Sequence, residues 1–178
     1  MSKILFLLAQ KGFQTKEYHV PCKILEERGH EVLTASTDGG IATSNIDEEI
    51  VMNAKLSEVN SADFDAIFAI GGPGALTYLD NEETVRIIRE AQVLATIPYG
   101  AICIAPRIFA KAGLLKGKRV TGWNNDGKLE SICQNGGCFH DPEPVVIDGL
   151  LVTANGPESA EGFGQAIASL LVGRMLAR

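Results

Sequence analysis

Two unbroken apolar runs mark the chain, Ile4-Leu5-Phe6-Leu7-Leu8 and Ala66-Ile67-Phe68-Ala69-Ile70. Neither alternates with polar residues, which is the pattern of strands covered on both faces. Strands are expected over Lys3–Ala9 and Asp65–Ile70, with another at Glu31–Ser36. Thr15 to Arg28 reads as a helix, apolar at Tyr18, Val20, Cys22, Ile24 and Leu25 and ended by Gly29. Ile41–Thr43 and Ile50–Asn53 read as short strands of a hairpin arm, and Lys55–Asn60 as a helical turn. Gly71-Gly72-Pro73-Gly74 breaks the second apolar run, and Asn81 then caps a helix through about Leu94. Lys118–Thr121 is a further strand and Lys128–Cys133 a weak helix. Val145 to Thr153 reads as a hairpin, because Asp148-Gly149 between apolar runs favours a type I′ turn. Glu158 to Leu176 is a last amphipathic helix. Repeated β-α-β units imply an α/β fold with a doubly wound, mostly parallel sheet and helices on both faces.

One stretch, Ile97-Pro98-Tyr99-Gly100-Ala101-Ile102-Cys103-Ile104-Ala105-Pro106, joins an apolar run to helix-start chemistry through a cysteine. Cys103 falls on a sharp strand-to-helix turn, and the helix that follows stops at Gly113. Small residues, Ala101 and Ala105, lie two positions to either side, as a nucleophile elbow requires. Pro106 suits a first helical turn, where its missing N–H would have no partner anyway. A thiol placed there faces unpaired N–H groups and the positive end of the helix dipole, and both favour thiolate. The competing reading is a buried core cysteine. Ligands of open α/β sheets bind at the C-terminal ends of strands. The loop from Gln10 to Glu17, the Gly71–Gly74 loop and Cys103 all fall at such ends.

Composition narrows the picture. A length of 178 residues predicts one domain over 1–178 with a full core. A net charge of −6 argues against nucleic acid or an anionic membrane as partner. The apolar runs are far shorter than a membrane span. Met1-Ser2-Lys3 leads into a short apolar stretch with no small-residue cleavage site, so that stretch reads as a buried strand and not a signal peptide. Cys22, Cys103, Cys133 and Cys138 form no CxxC pair, which with the missing signal predicts reduced thiols in a cytoplasm. Cys133-x4-Cys138-x-His140 matches no common zinc spacing, so no metal is expected. Cys22 reads as core. Cys133 and Cys138 read as ordinary thiols, with a redox pair as the alternative, and His30 as a surface residue.

Five segments together resemble the ThiJ/PfpI superfamily, in order and over nearly the whole chain. They are Gly12-Phe13-Gln14-Thr15-Lys16-Glu17, Phe64-Asp65-Ala66 running into Gly71-Gly72-Pro73-Gly74, and Ala101-Ile102-Cys103-Ile104-Ala105-Pro106. Ala112-Gly113-Leu114-Leu115-Lys116-Gly117 and Val152-Thr153-Ala154-Asn155-Gly156-Pro157 complete them. The resemblance implies a flavodoxin-like, class I glutamine-amidotransferase-like fold and a homodimer. It implies Cys103 as nucleophile and Glu17 as the carboxylate against its sulfur. It implies Gly72, with Ile104 at the helix terminus, as backbone donors of an oxyanion or anion pocket.

Physical chemistry supports such a pair. A carboxyl buried beside a thiolate has its pKa raised, since burial and like charge both disfavour the anion. The protonated carboxyl then donates to the thiolate and moves a proton to or from substrate. The alternative for Glu17 is a solvated acid that favours the helix N-terminus. A phosphate-loop reading of the glycine loop is weak, because no Gly-Lys-Ser/Thr follows it. Serving as a tight turn is compatible with offering N–H donors.

The chain also departs from the family patterns. The peptidase-like branch places a His directly after the nucleophile, where this chain has Ile104. Another branch brings a His from the segment after the next strand, which here reads Thr121-Gly122-Trp123-Asn124-Asn125-Asp126. Asp126 is the candidate to approach the site in its place. Arg107, four residues after Cys103, shares a helix side with it. It is a candidate for attracting an anionic substrate or pairing with Glu17, against a surface or interface salt bridge. His19, two residues past Glu17, points to another side and is a candidate to flank the pocket or a subunit contact.

These readings predict a cofactor-independent cysteine enzyme acting on a small-molecule electrophile. The foremost substrates are α-oxoaldehydes, as in glyoxalase- or deglycase-like family members, and isocyanide hydration is a further family chemistry. The alternative from another class is an oxidative-stress sensor or chaperone that stops at the sulfinate. A PfpI-type peptidase or amidase is the third reading, and Ile104 counts against it.

Overall fold

The structure is a computed structural model and describes residues 1–176, with side chains through 173. The chain begins with β1 (Lys3–Leu7), β2 (Lys11–Phe13), α1 (Thr15–Glu27) and β3 (Glu31–Ser36). An arm of β4 (Ile41–Ser44), β5 (Glu49–Val51) and β6 (Ala54–Lys55) leads to β7 (Ala66–Ala69). Then come α2 (Ala75–Tyr78), α3 (Glu82–Leu94), β8 (Tyr99–Ile102) and α4 (Pro106–Lys111). After β9 (Arg119–Val120), α5 (Lys128–Gly136) and β10 (Phe139–His140), the hairpin β11 (Val145–Asp148) and β12 (Leu151–Ala154) precedes α6 (Ala160–Leu176).

Seven strands form one sheet in the order β11-β12-β8-β7-β1-β3-β6. Every neighbouring pair is parallel except β11 with β12 at one edge. The inner order β3-β1-β7-β8-β12 is the 2-1-3-4-5 arrangement of the flavodoxin-like fold. Side chains alternate across the sheet, as its pleat demands. Leu5 and Leu7 of β1 join Ile67 and Ala69 of β7 in one core, closed by Ile87 and Ile88 of α3 and Ile108 and Phe109 of α4. Ile4 and Phe6 join Ala66 and Phe68 in the other, closed by Cys22 and Leu25 of α1 and Phe163 and Ile167 of α6. Phe68 bridges this second core edge-to-face, 6.5 Å from Phe6 and 5.4 Å from Phe163 between ring centroids. No helix among the described residues is long and apolar enough to cross a membrane.

Several elements differ from expectation. β1 stops at Leu7, although Leu8 and Ala9 remain buried. The Gln10–Glu17 loop contains the short strand β2, which pairs with β4 outside the main sheet. Ala54–Lys55 is a strand and only Leu56–Glu58 a helical turn. The 145–153 hairpin turns on Gly149 and Leu150, one residue later than expected. Positive φ occurs at Gly149 alone, as in a type II′ turn, so the I′ expectation fails. α6 is preceded by a 3₁₀ turn at Pro157–Ser159.

Candidate active site

The chain leaves β1 toward β3 on one side, and leaves β7 toward β8 on the other. The crevice at the C-terminal ends of β1, β7 and β8 is thus the switch point where such sheets bind ligands. Cys103 follows β8 directly, with φ 63°, a left-handed conformation rare for a side-chain-bearing residue. Its backbone is held on both sides. Cys103 N–H donates to Ala154 O at 2.8 Å, and Trp123 N–H donates to Cys103 O at 2.7 Å. Pro106 opens α4 at its first position, so the elbow runs straight into a helix.

Glu17 arrives from the first turn of α1, which Gln14 caps by accepting from Lys16 N–H. Gln14 N–H also donates to Gly71 O at 3.0 Å, and Gly71 N–H donates to Glu17 Oε2 at 3.1 Å. Both polar backbone groups of Gly71 therefore lock the loop after β7 onto the start of α1. A methyl group at Gly71 would lie 2.6 Å from Cβ of Cys103 and 2.7 Å from Glu17 Oε2. Gly72 turns with φ 118°, and a Cβ there would meet Gly12 O at 2.4 Å. Only glycines let this loop pass between nucleophile and carboxyl.

Glu17 is fully buried at 0% exposure, and its Oε1 has no hydrogen-bond partner from nitrogen or oxygen. Burial pushes the carboxyl up to about 7, against the opposing pull of hydrogen bonds with Cys103 and Gly71 N–H. The position of Cys103 before a helix predicts a lowered thiol, and the structure reverses that direction. Burial first, then the charge and hydrogen bond of Glu17, push the thiol up to about 12. The N–H groups of Ile104 and Gly72 pull it down, but less strongly. The contribution of Glu17 depends on its ionisation. A proton on the carboxyl removes the like charge and lets it donate to sulfur. The two groups therefore hold their protons jointly.

A cavity of about 340 Å³ opens on this pair, lined by Gln14, Glu17, Gly72, Pro73, Cys103, Ile104, Trp123 and Pro157. Arg107, Asp126 and His19 do not line it. Arg107 is buried and pairs with Asp126 through both guanidinium ends, Nη1 to Oδ2 at 3.0 Å and Nη2 to Oδ1. It therefore neither pairs with Glu17 nor lies on the surface. Its hydrogen bonds hold the Asp126 carboxyl down at about 2. His19 lies outside the crevice, with Nε2 2.9 Å from Glu48 Oε1. His30, expected on the surface, is buried and accepts from Ser2 N–H at 3.3 Å through Nδ1. Cys22, Cys133 and Cys138 are buried free thiols. Trp123, the sole tryptophan of the chain, lines the cavity without having been a site candidate from the sequence, as do Gln14, Pro73 and Pro157.

Known proteins are similar to the chain along its length. The chain is 32% identical over 169 residues to the deglycase PfpI of Pyrococcus furiosus, covering 95% of this chain and 99% of that protein. It is 31% identical over 172 residues to YraA of Bacillus subtilis, a conjectured cysteine protease by its name, covering 96% and 99%. The ThiJ/PfpI domain protein of Brachyspira murdochii superposes with a TM-score of 0.87 at 29% identity, over 96% of either chain. Residues 2–170 match the DJ-1/PfpI family, and the chain belongs to that family.

Proposed function

We propose that the chain is a cofactor-independent enzyme that converts α-oxoaldehydes to 2-hydroxy acids, with Cys103 as nucleophile and Glu17 as acid and base. The observation that supports it is the buried carboxyl of Glu17 set beside the elbow cysteine, so close that a methyl group at Gly71 would lie 2.6 Å from Cys103 Cβ and 2.7 Å from Glu17 Oε2; burial there raises the carboxyl to about 7. A group titrating there serves as both donor and acceptor near neutrality.

The chemistry follows from one proton on the pair. The thiolate adds to the aldehyde carbon, and the carbonyl oxygen takes the proton from Glu17. Gly72 and Ile104 N–H groups, which face the sulfur, stabilise negative charge as it passes to that oxygen. The ionised Glu17 then removes the hydrogen from the former aldehyde carbon as a proton and returns it to the neighbouring ketone carbon, while the hydroxyl proton of the hemithioacetal passes to the ketone oxygen. One carbon is oxidised and the other reduced, so no external electron carrier is needed. The product is a thioester, and water activated by Glu17 cleaves it to the hydroxy acid and restores the thiol.

Peptide hydrolysis fits less well. No histidine lines the cavity, so protonating a leaving amine would fall to Glu17 alone. The relationship to PfpI, named a deglycase, favours carbonyl chemistry. Incubation with methylglyoxal in thiol-free buffer tests the proposal. Lactate should form with the wild type and fall by about 10²-fold or more in Cys103→Ala and Glu17→Gln. Equal lactate in the Cys103→Ala protein would overturn it. We also infer a homodimer from the family resemblance; sedimentation equilibrium should give the mass of two chains, and a single-chain mass at micromolar concentration would contradict it.

A further inference from the structure

Arg107 is the cation nearest in sequence to the nucleophile, yet its guanidinium is engaged elsewhere. At 3% exposure it holds Asp126 at both ends, donates from Nη2 to Trp123 O at 2.8 Å, and sets Cζ 4.9 Å from the centre of the Trp123 ring. Its Nε is buried without a partner among the described residues. Trp123 is also tied through its N–H to Cys103 O. The indole is thereby fixed at its backbone and on its ring by α4, the helix that begins just after Cys103. Such a ring, immobilised before any ligand arrives, offers contact area without an ordering cost on binding.

We infer that the Trp123 wall is a substituent subsite of the Cys103 cavity, selecting carbonyl compounds that carry a flat, uncharged, apolar group. The inference rests on the carbonyl chemistry proposed for Cys103. Trp123 joins Pro73, Pro157 and Ile104 in an apolar lining, and among the described residues no cationic side chain lines the cavity. Its ionisable members are Glu17 and Cys103, both able to carry negative charge. A carboxylate-bearing substrate would lose hydration there and gain no counter-ion. A planar apolar group gains stacking and burial against indole instead. The volume of about 340 Å³ suits a molecule with one ring. Arg107 and Asp126 are positioning residues, acting on the substrate only through the ring they hold.

Phenylglyoxal, methylglyoxal and glyoxylate share the reacting aldehyde and differ in substituent. The wild type should prefer phenylglyoxal to methylglyoxal by about tenfold in kcat/KM, the size of one stacking contact plus the added apolar burial. Glyoxylate should be the poorest of the three. Trp123→Ala should bring the phenylglyoxal to methylglyoxal ratio close to one, and Trp123→Phe should keep most of it. Asp126→Asn should lower the same ratio through KM and not through kcat.

A reading independent of turnover comes from the lone indole N–H resonance of the 15N-labelled protein, since the chain has one tryptophan. Acetophenone should shift it saturably, and benzoylformate, the same ring with a carboxylate, should not. A shift without any aldehyde consumption would leave the subsite standing and overturn the proposed reaction. Turnover with a ratio indifferent to Trp123→Ala, or to Trp123→Phe and Asp126→Asn should the alanine variant not fold, together with an unmoved resonance, would overturn the subsite and leave the reaction. Equal shifts with both ligands would overturn its selection against charge.

Discussion

Glu17 binds its proton more tightly in the folded chain than in the unfolded one, at about 7 against 4.5. The folded chain therefore takes up a proton as pH falls through that window, and stability rises as it does so. The penalty for an ionised, buried carboxyl is absent below pH 4.5 and fully present above about 7. Glu17→Gln removes it, so the variant should gain on the wild type by up to ~3 kcal/mol between pH 5 and 8, the free energy of such a shift. Urea denaturation across that range measures the difference. A constant difference would mean that the carboxyl does not titrate inside the fold. The residues that carry this behaviour were legible in the sequence because each sits in a local motif: Cys103 between two alanines before a proline, Glu17 just after a helix start. The direction of the thiol shift was not, because it is set by burial and by a carboxyl 86 positions away in the chain, and these outweigh the helix N-terminus.

At the scale of elements, the central strands declare themselves because both of their faces are buried. Ala66–Ala69 and residues 4–7 of β1 are apolar on successive residues for that reason. Phe68 sits between Phe6 of the neighbouring strand and Phe163 of α6, so it ties sheet to helix. Phe68→Ala should lower stability by about 3–5 kcal/mol, the range for an emptied aromatic core site. Thermal and denaturant unfolding test this, and a loss under about 1 kcal/mol would mean that the core collapses into the space. Strands β2 and β10 were hidden because they span three and two residues, too few to show a period, and form only by pairing with β4 and β9. Trp123 was hidden likewise. Its place on the cavity wall depends on Arg107 and Asp126, which come from α4 and from the loop before α5. Neither its own residue type nor its neighbours reveal that contact.

Across the whole molecule, the sheet order performs the assembly. Glu17, Gly72 and Cys103 are separated by 55 and 31 positions, yet each follows one of three adjacent parallel strands and so reaches the same crevice. The repeat of strand and helix was enough to foresee this convergence, since ligand sites of such sheets lie at strand C-termini. The specificity of the crevice was not foreseeable, because it comes from side chains that bury a cation away from the nucleophile. Cys103 and Glu17 are proposed to share protons in processing an α-oxoaldehyde, and the pH dependence of lactate formation from methylglyoxal tests that most directly. With one proton on the pair as the active form, kcat/KM should rise with pH through an apparent pKa near 7, and Glu17→Gln and Cys103→Ala should abolish the activity. A rate without that rising limb, or full activity in Glu17→Gln, would contradict it.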